Sequence, residues 1–168
     1  MFISVFMMLL LTSCGEKKKT ESAMFNTALQ LLLSGSVPVI TVDKLVDKKP
    51  DVLLIDVRER EEYQVSRIPD ALHAGYKKFN PDNFKDIRKE QEIIVYCSVG
   101  YRSEKAGEKL QEAGFENVRN LYGGIFEWVN RQNPLENDDG LTNKLHPYGP
   151  LWRGWITNEN LNLVYSKN

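Results

Sequence analysis

The stretch from Glu92 to Ser103 constrains the chain most tightly. Ile93, Ile94, Val95 and Tyr96 form an unbroken apolar run of β-branched and aromatic residues, the pattern of a parallel strand covered on both faces. A helical pattern follows at once, with Ala106, Leu110 and Ala113 at i, i+4 and i+7. Ser103 reads as its N-cap and Gly114 as its stop. A buried strand that feeds a helix through a short loop needs parallel neighbours, and the rest of the sequence supplies them.

Strands are expected at residues 39–42, 52–57, 71–75 and 117–121, with helices at 24–33, 58–65, 81–87 and 124–130 and a short one capped by Asp43. In the last helix Ile125, Trp128 and Val129 point inward, and in the first Phe25, Ala28, Leu29 and Leu32 share a face. This alternation predicts an α/β fold, a parallel sheet with helices on both faces. The chain shows no internal repeat and no low-complexity segment.

The loop after the central strand carries the chemistry. Cys97 stands at the carboxyl end of a strand and faces a helix N-terminus, where a parallel sheet delivers ligands. That setting favours a thiolate. Gly100 permits a tight turn, so that the N–H groups of Ser98, Val99, Gly100, Tyr101 and Arg102 converge on one point. Arg102 adds a planar fork of donors suited to an oxyanion. The competing reading is a buried, inert core cysteine. Asp56 ends the preceding buried strand on the same sheet edge, placed to orient Arg58 or the loop's N–H groups; Glu59, Arg60 and Glu62 read as a charged rim or a solvated helix face.

Three stretches in order carry a family resemblance: Leu54-Ile55-Asp56-Val57-Arg58-Glu59 with Glu62-Tyr63, then Cys97-Ser98-Val99-Gly100-Tyr101-Arg102-Ser103, then Leu121-Tyr122-Gly123-Gly124-Ile125-Phe126-Glu127-Trp128. From about residue 38 to 132 the sequence resembles the rhodanese-like sulfurtransferases. The resemblance implies a central parallel sheet of about five strands, a persulfide formed on Cys97, and substrate binding by residues 98–102, with Asp56, Arg58 and Ser103 in support. It also implies a small sulfur donor such as thiosulfate, an acceptor that is cyanide, a small thiol or a protein cysteine, and no cofactor. The sequence departs at Ser66-Arg67-Ile68-Pro69-Asp70-Ala71, where the family has Gly-His-Ile-Pro-Gly-Ala.

Two other readings use the same loop. One is a non-enzymatic binding or redox-sensing module. The other is a phosphatase or arsenate reductase; those loops follow Cys-x5-Arg, whereas only four residues separate Cys97 from Arg102. The two histidines, His73 and His146, read as structural, and no Cys/His spacing suits a metal.

Toward the N-terminus, residues 2–11 are apolar except Ser4, too short a run to span a bilayer and suited to a signal peptide. Leu11-Thr12-Ser13-Cys14 resembles the bacterial lipobox, so residues 1–13 are expected to be cleaved and Cys14 lipidated, although no Lys or Arg precedes the run. Residues 14–23, with Lys17-Lys18-Lys19, then form a tether, residues 24–132 the domain, and 133–168 a tail that packs back on it. Asn133 to Asn143 reads as a polar loop with a turn at Asn137-Asp138-Asp139-Gly140. The expected location is the bacterial cell envelope, facing the periplasm or exterior, as a lipid-anchored monomer. A formal net charge of −1 gives no case for nucleic acid.

Overall fold

The computed structural model describes residues 20–165. The expected signal peptide, Cys14 and the lysine triplet lie outside the described residues. No helix among those described is long and apolar enough to cross a membrane. Nor do the described residues contain a cluster of three or more His, Cys, Asp or Glu that could hold a metal ion.

Five strands build the central sheet: β1 (Val39–Ile40), β2 (Leu53–Asp56), β3 (Leu72–His73), β4 (Ile93–Tyr96) and β5 (Val118–Leu121). All neighbours are parallel, in the order β1-β5-β4-β2-β3. The helices are α1 (Ala23–Leu32), α2 (Val42–Lys48), α3 (Arg60–Val65), α4 (Tyr101–Glu112) and α5 (Gly124–Asn130). The strand alternation divides the core. Ile93, Val95 and Cys97 point to the face covered by Ala106 and Leu110 of α4. Ile94 and Tyr96 point to the other, where Phe25 and Leu29 of α1 and all the apolar residues of α5 pack.

Most expected elements are present with shifted ends, and each shift has a local cause. α2 starts at Val42, not after Asp43, because the Val42 side chain is buried and Thr41 holds the extended N-cap. α3 starts at Arg60, since Glu59 is its N-cap and closes a capping box with Glu62; Arg58 therefore lies outside the helix. The segment after Asn80 forms a short 3-10 turn, Pro81–Phe84.

The tail departs most. Part of the expected polar loop is a hairpin of β6 (Leu135–Asn137) and β7 (Gly140–Thr142), turning at Asp138 and Asp139. Arg67 bridges to it: its N–H donates to the Glu136 carbonyl at 2.8 Å and its carbonyl accepts in return at 3.0 Å. The Arg67 guanidinium also pairs with Glu136 and Asp138. Asp70, standing where the resembling family has glycine, adopts φ 65°. The departures at residues 67 and 70 thus meet the tail or the turn locally. Beyond the hairpin, β8 (Lys144–Leu145) pairs with β9 (Asn162–Leu163), and a 3-10 segment, Pro150–Trp155, lies between them. Trp155 stacks on Phe25 with ring centroids 5.3 Å apart, so the tail closes over α1.

Candidate active site

β2 and β4 are neighbours, but their connections leave in opposite directions, toward β3 and β5. That divergence opens a crevice at their carboxyl ends. The register sets Asp56 opposite Tyr96, so the two strands deliver Asp56 and Cys97 to the same edge.

Cys97 is 1% exposed, and its Sγ accepts the Gly100 N–H at 3.1 Å. Gly100 reaches that position with φ 119°, a conformation that favours glycine. It is the N-cap of α4, which corrects the assignment of Ser103 to that role. Ser103 lies inside the first turn, fully buried, with its hydroxyl donating to Asn120 Oδ1 at 2.7 Å and lying 3.1 Å from the Gly100 carbonyl. Asn120 Nδ2 donates to the same carbonyl at 2.9 Å.

The other end of the loop hangs from α5. Ile125 N–H donates to the Cys97 carbonyl at 2.9 Å, and Phe126 N–H to the Ser98 carbonyl at 3.1 Å. This approach requires glycine at 124, whose φ is 57°; a Cβ there would stand 2.3 Å from the Cys97 oxygen. The carbonyls of Cys97, Ser98 and Gly100 are therefore all held from outside the loop. In a planar trans peptide the following N–H points the opposite way, so those of Ser98, Val99 and Tyr101 point away from α5 and Asn120.

Arg102 closes the loop from the α3 side. Its Nη1 and Nη2 donate to the two carboxylate oxygens of Glu62 at 2.7 and 2.8 Å, and Nη2 also donates to Ser98 Oγ at 2.9 Å. Ser98 Oγ donates to Glu62 at 3.1 Å. Burial pushes the Glu62 carboxyl up, but the hydrogen bonds and charge of Arg102, aided by Arg58 and the Glu59 N–H, hold it below its ordinary value. Burial likewise opposes the Arg102 charge, and Glu62 more than restores it. Glu62 is thus a bonded member of the site, a role its place on a charged helix disguised. The available signal was the Glu59–Glu62 spacing of a capping box. Asn120, a polar residue inside a buried strand pattern, was legible in the same way and was missed.

Asp56 and Arg58 form a second pair with both side chains fully buried. Arg58 Nε and Nη2 donate to the Asp56 carboxylate at 2.6–3.1 Å, and Nη2 also to the Ser66 carbonyl at 2.6 Å. Their described hydrogen bonds brace the turns after β2 and after α3. His73 Nε2 lies 2.9 Å from the Arg58 carbonyl, and its ring packs on Tyr63. His146 sits in the tail with Nδ1 accepting the Tyr148 N–H at 3.1 Å, and burial lowers its pKa.

Above Cys97 opens a cavity of about 250 Å3. Cys97, Ser98 and Val99 form its buried end, while the half-exposed Tyr101 and Tyr148 stand toward solvent. Leu32 and Trp152 complete the walls. The Arg102 guanidinium lies over the Tyr148 ring, 4.6 Å from its centroid.

Residues 40–131, more than half of the chain, match the family described as the rhodanese-like domain. The chain belongs to that family. A sulfurtransferase from Allochromatium vinosum is 36% identical over 90 residues, covering 54% of this chain and 83% of the relative. The thiosulfate sulfurtransferase GlpE from Coxiella burnetii is 36% identical over 81 residues, covering 48% of this chain and 75% of the relative. Longer relatives also match, and of those the chain spans only 21–28% of their length. The crystal structure of the BH2092 protein from Bacillus halodurans superimposes with a TM-score of 0.57 at 28% identity, covering 68% of this chain and 88% of that one. Apart from Val39, the five-stranded sheet, the Cys97 loop and the Arg102–Glu62 pair all fall within the rhodanese-like range. Leu32, Tyr148 and Trp152 fall outside it, so one side of the cavity is built from the flanks of the domain.

Proposed function

We propose that the protein is a sulfurtransferase that carries sulfane sulfur on Cys97. The observation that carries this reading is the placement of the Cys97 sulfur at the buried end of an open cavity, bonded to the Gly100 N–H. In the first half-reaction the Cys97 thiolate attacks the outer sulfur of a donor such as thiosulfate. A new S–S bond forms, the donor's S–S bond breaks, and its electron pair leaves with sulfite. The persulfide that remains ends in an anionic sulfur, which the N–H groups of residues 98–102 are suited to hold. In the second, a thiophilic acceptor (cyanide, a small thiol or a protein cysteine) attacks that outer sulfur, and the Cys97 thiolate is released. Arg102 and Ser103 hold the loop in shape, and Asp56 with Arg58 supports the neighbouring edge. The relatives named sulfurtransferase support the class of reaction.

Steady-state transfer from thiosulfate to cyanide tests this reading. Turnover is expected in the native chain and its loss in Cys97→Ala with the fold intact; equal turnover in the variant contradicts it.

We also propose that Cys14 is lipidated and anchors the protein, as a monomer, in a bacterial envelope, on the strength of Leu11-Thr12-Ser13-Cys14 after an apolar run. Expression of the full chain and of Cys14→Ser in bacteria, followed by fractionation, tests it. Unchanged membrane association and mass in the variant contradict it.

A further inference from the structure

Helix α1 carries two apolar stripes. Phe25 and Leu29 face the core, while Met24, Ala28 and Leu31 form a second stripe at i, i+4 and i+7. Met24 is 75% exposed and Leu31 86%. With Ala23, Thr27 and Ala28 they line an open groove of about 430 Å3 on the outer side of the helix. A surface helix normally sets a polar face opposite its core face. Here the exposed residues are Ala23, Met24, Thr27, Gln30 and Leu31, of which none is charged. No charged residue occurs anywhere from Ser22 to Val42, although 27% of the chain is charged. The outer face of α1 is therefore suited to an apolar surrounding.

The chain just before α1 points to what covers that face. Thr20 is 1% exposed, and the Glu21 N–H donates to the buried Glu127 carboxylate at 2.8 Å, so the domain grips the chain immediately ahead of the helix. Cys14 stands six residues before Thr20, a stretch that spans only about 20 Å when fully extended. Lys17, Lys18 and Lys19 fall within it and suit anionic headgroups. Resting on the proposed lipidation of Cys14, we propose that α1 docks on the bilayer surface, with Met24, Ala28 and Leu31 set at the boundary between headgroups and acyl chains. α4, on the opposite face of the sheet, then points to the aqueous side. Because α1 ends at Leu32, a wall of the cavity above Cys97, the docking holds that cavity close to the lipid.

Fluorescent labelling in lipid tests this. The full chain is expressed in bacteria, its Cys14 lipid verified by mass, and the protein reconstituted in vesicles of phosphatidylethanolamine and phosphatidylglycerol, three to one, that contain a lipid spin-labelled near the head of its acyl chain. A nitrobenzoxadiazole label is placed by Met24→Cys or Leu31→Cys, and on α4 by Lys109→Cys or Glu112→Cys, each with Cys97→Ala to leave one free thiol. All four labelled positions are exposed, so the label displaces no core residue. Emission from positions 24 and 31 is expected to be blue-shifted and quenched by the spin label, and emission from 109 and 112 neither. Unquenched, water-like emission from 24 and 31 in anchored protein overturns the docking and leaves the Cys14 anchor standing. Blue-shifted but unquenched emission there assigns the face to a second copy of the chain and overturns the docking equally. A chain recovered with residues 1–13 attached and no lipid on Cys14 overturns the anchor and the docking together, and leaves the groove to residues 2–11.

Discussion

Arg102 and Glu62 meet end to end, Nη1 to Oε2 at 2.7 Å and Nη2 to Oε1 at 2.8 Å, with side chains only 11% and 4% exposed. This pair fixes the last residue of the loop to the helix that follows β2. Removing one partner of a buried pair typically costs about 3–5 kcal/mol, because the other charge is stranded. Glu62→Gln is therefore expected to lower stability by about 3 kcal/mol in urea denaturation. Arg102→Ala is expected to lower kcat/KM for sulfur transfer by a factor similar to Glu62→Gln, with a double variant less impaired than the sum. Additive losses, or a rise in donor KM confined to the Arg102 variant, contradict the bracing role and favour direct donor contact by Arg102.

The same pair predicts a pH dependence. The folded Glu62 carboxyl lies below its ordinary value, because Arg102 outweighs the effect of burial. It binds a proton less readily folded than unfolded, so its contribution to stability is complete above the unfolded value of about 4.3 and is lost as pH falls through the folded one. The stability gap between the native chain and Glu62→Gln should stay level from neutral pH to about pH 5.5, then narrow as pH falls below about 4.3. Urea denaturation across that range measures it, and a gap that widens on acidification contradicts the assignment.

Gly124 and Gly35 make a matched comparison, since both have positive φ. At Gly124 an added Cβ meets the Cys97 and Ser98 carbonyl oxygens at 2.3 and 2.7 Å; at Gly35 it meets nothing within 4 Å. Gly35→Ala should cost about 1–2 kcal/mol, the backbone term alone. Gly124→Ala adds overpacking of about 1–3 kcal/mol and shifts the loop that carries the thiol, so sulfur transfer should fall with it. Thermal melts and turnover of both variants check this; equal losses contradict the close approach of α5 to the loop.

The sheet was legible because its strands are short apolar runs buried on both faces, with helical spacing between them. Ile93–Tyr96 and α4 needed little more than periodicity. The cap of α4 was misread because the Ser103 hydroxyl turns inward to Asn120, leaving the terminus to a glycine whose side chain gives no signal. Glu62 was read as rim because sequence records its charge and not its partner, and that partner lies 40 residues away. Trp152 was legible only as part of a tail expected to pack back on the domain, and Tyr148 carried no signal of its own. Which face they cover depends on long-range contacts, including those of Arg67 to the hairpin, that no local pattern encodes.

Loop size predicts the chemistry the site declines. Six residues from Cys97 to Arg102 give a smaller cradle than the Cys-x5-Arg loop of phosphatases and arsenate reductases, one suited to a single sulfur atom more than to a phosphoryl group with three equatorial oxygens. Aryl phosphate hydrolysis should be negligible. Efficient phosphatase turnover that is lost in Cys97→Ser contradicts this argument, while one residue inserted between Gly100 and Arg102 should weaken sulfur transfer.

The central claim is that Cys97 carries the sulfur in transit. Its most direct test is the intact mass of the protein after treatment with thiosulfate and removal of excess donor, with the modified residue located by peptide mapping. The account predicts a gain of one sulfur atom on Cys97, lost again when cyanide is added and absent in Cys97→Ala. A native chain whose Cys97 peptide stays unchanged in mass, although the thiol still reacts with an alkylating reagent, contradicts it and favours the non-enzymatic binding or redox-sensing module.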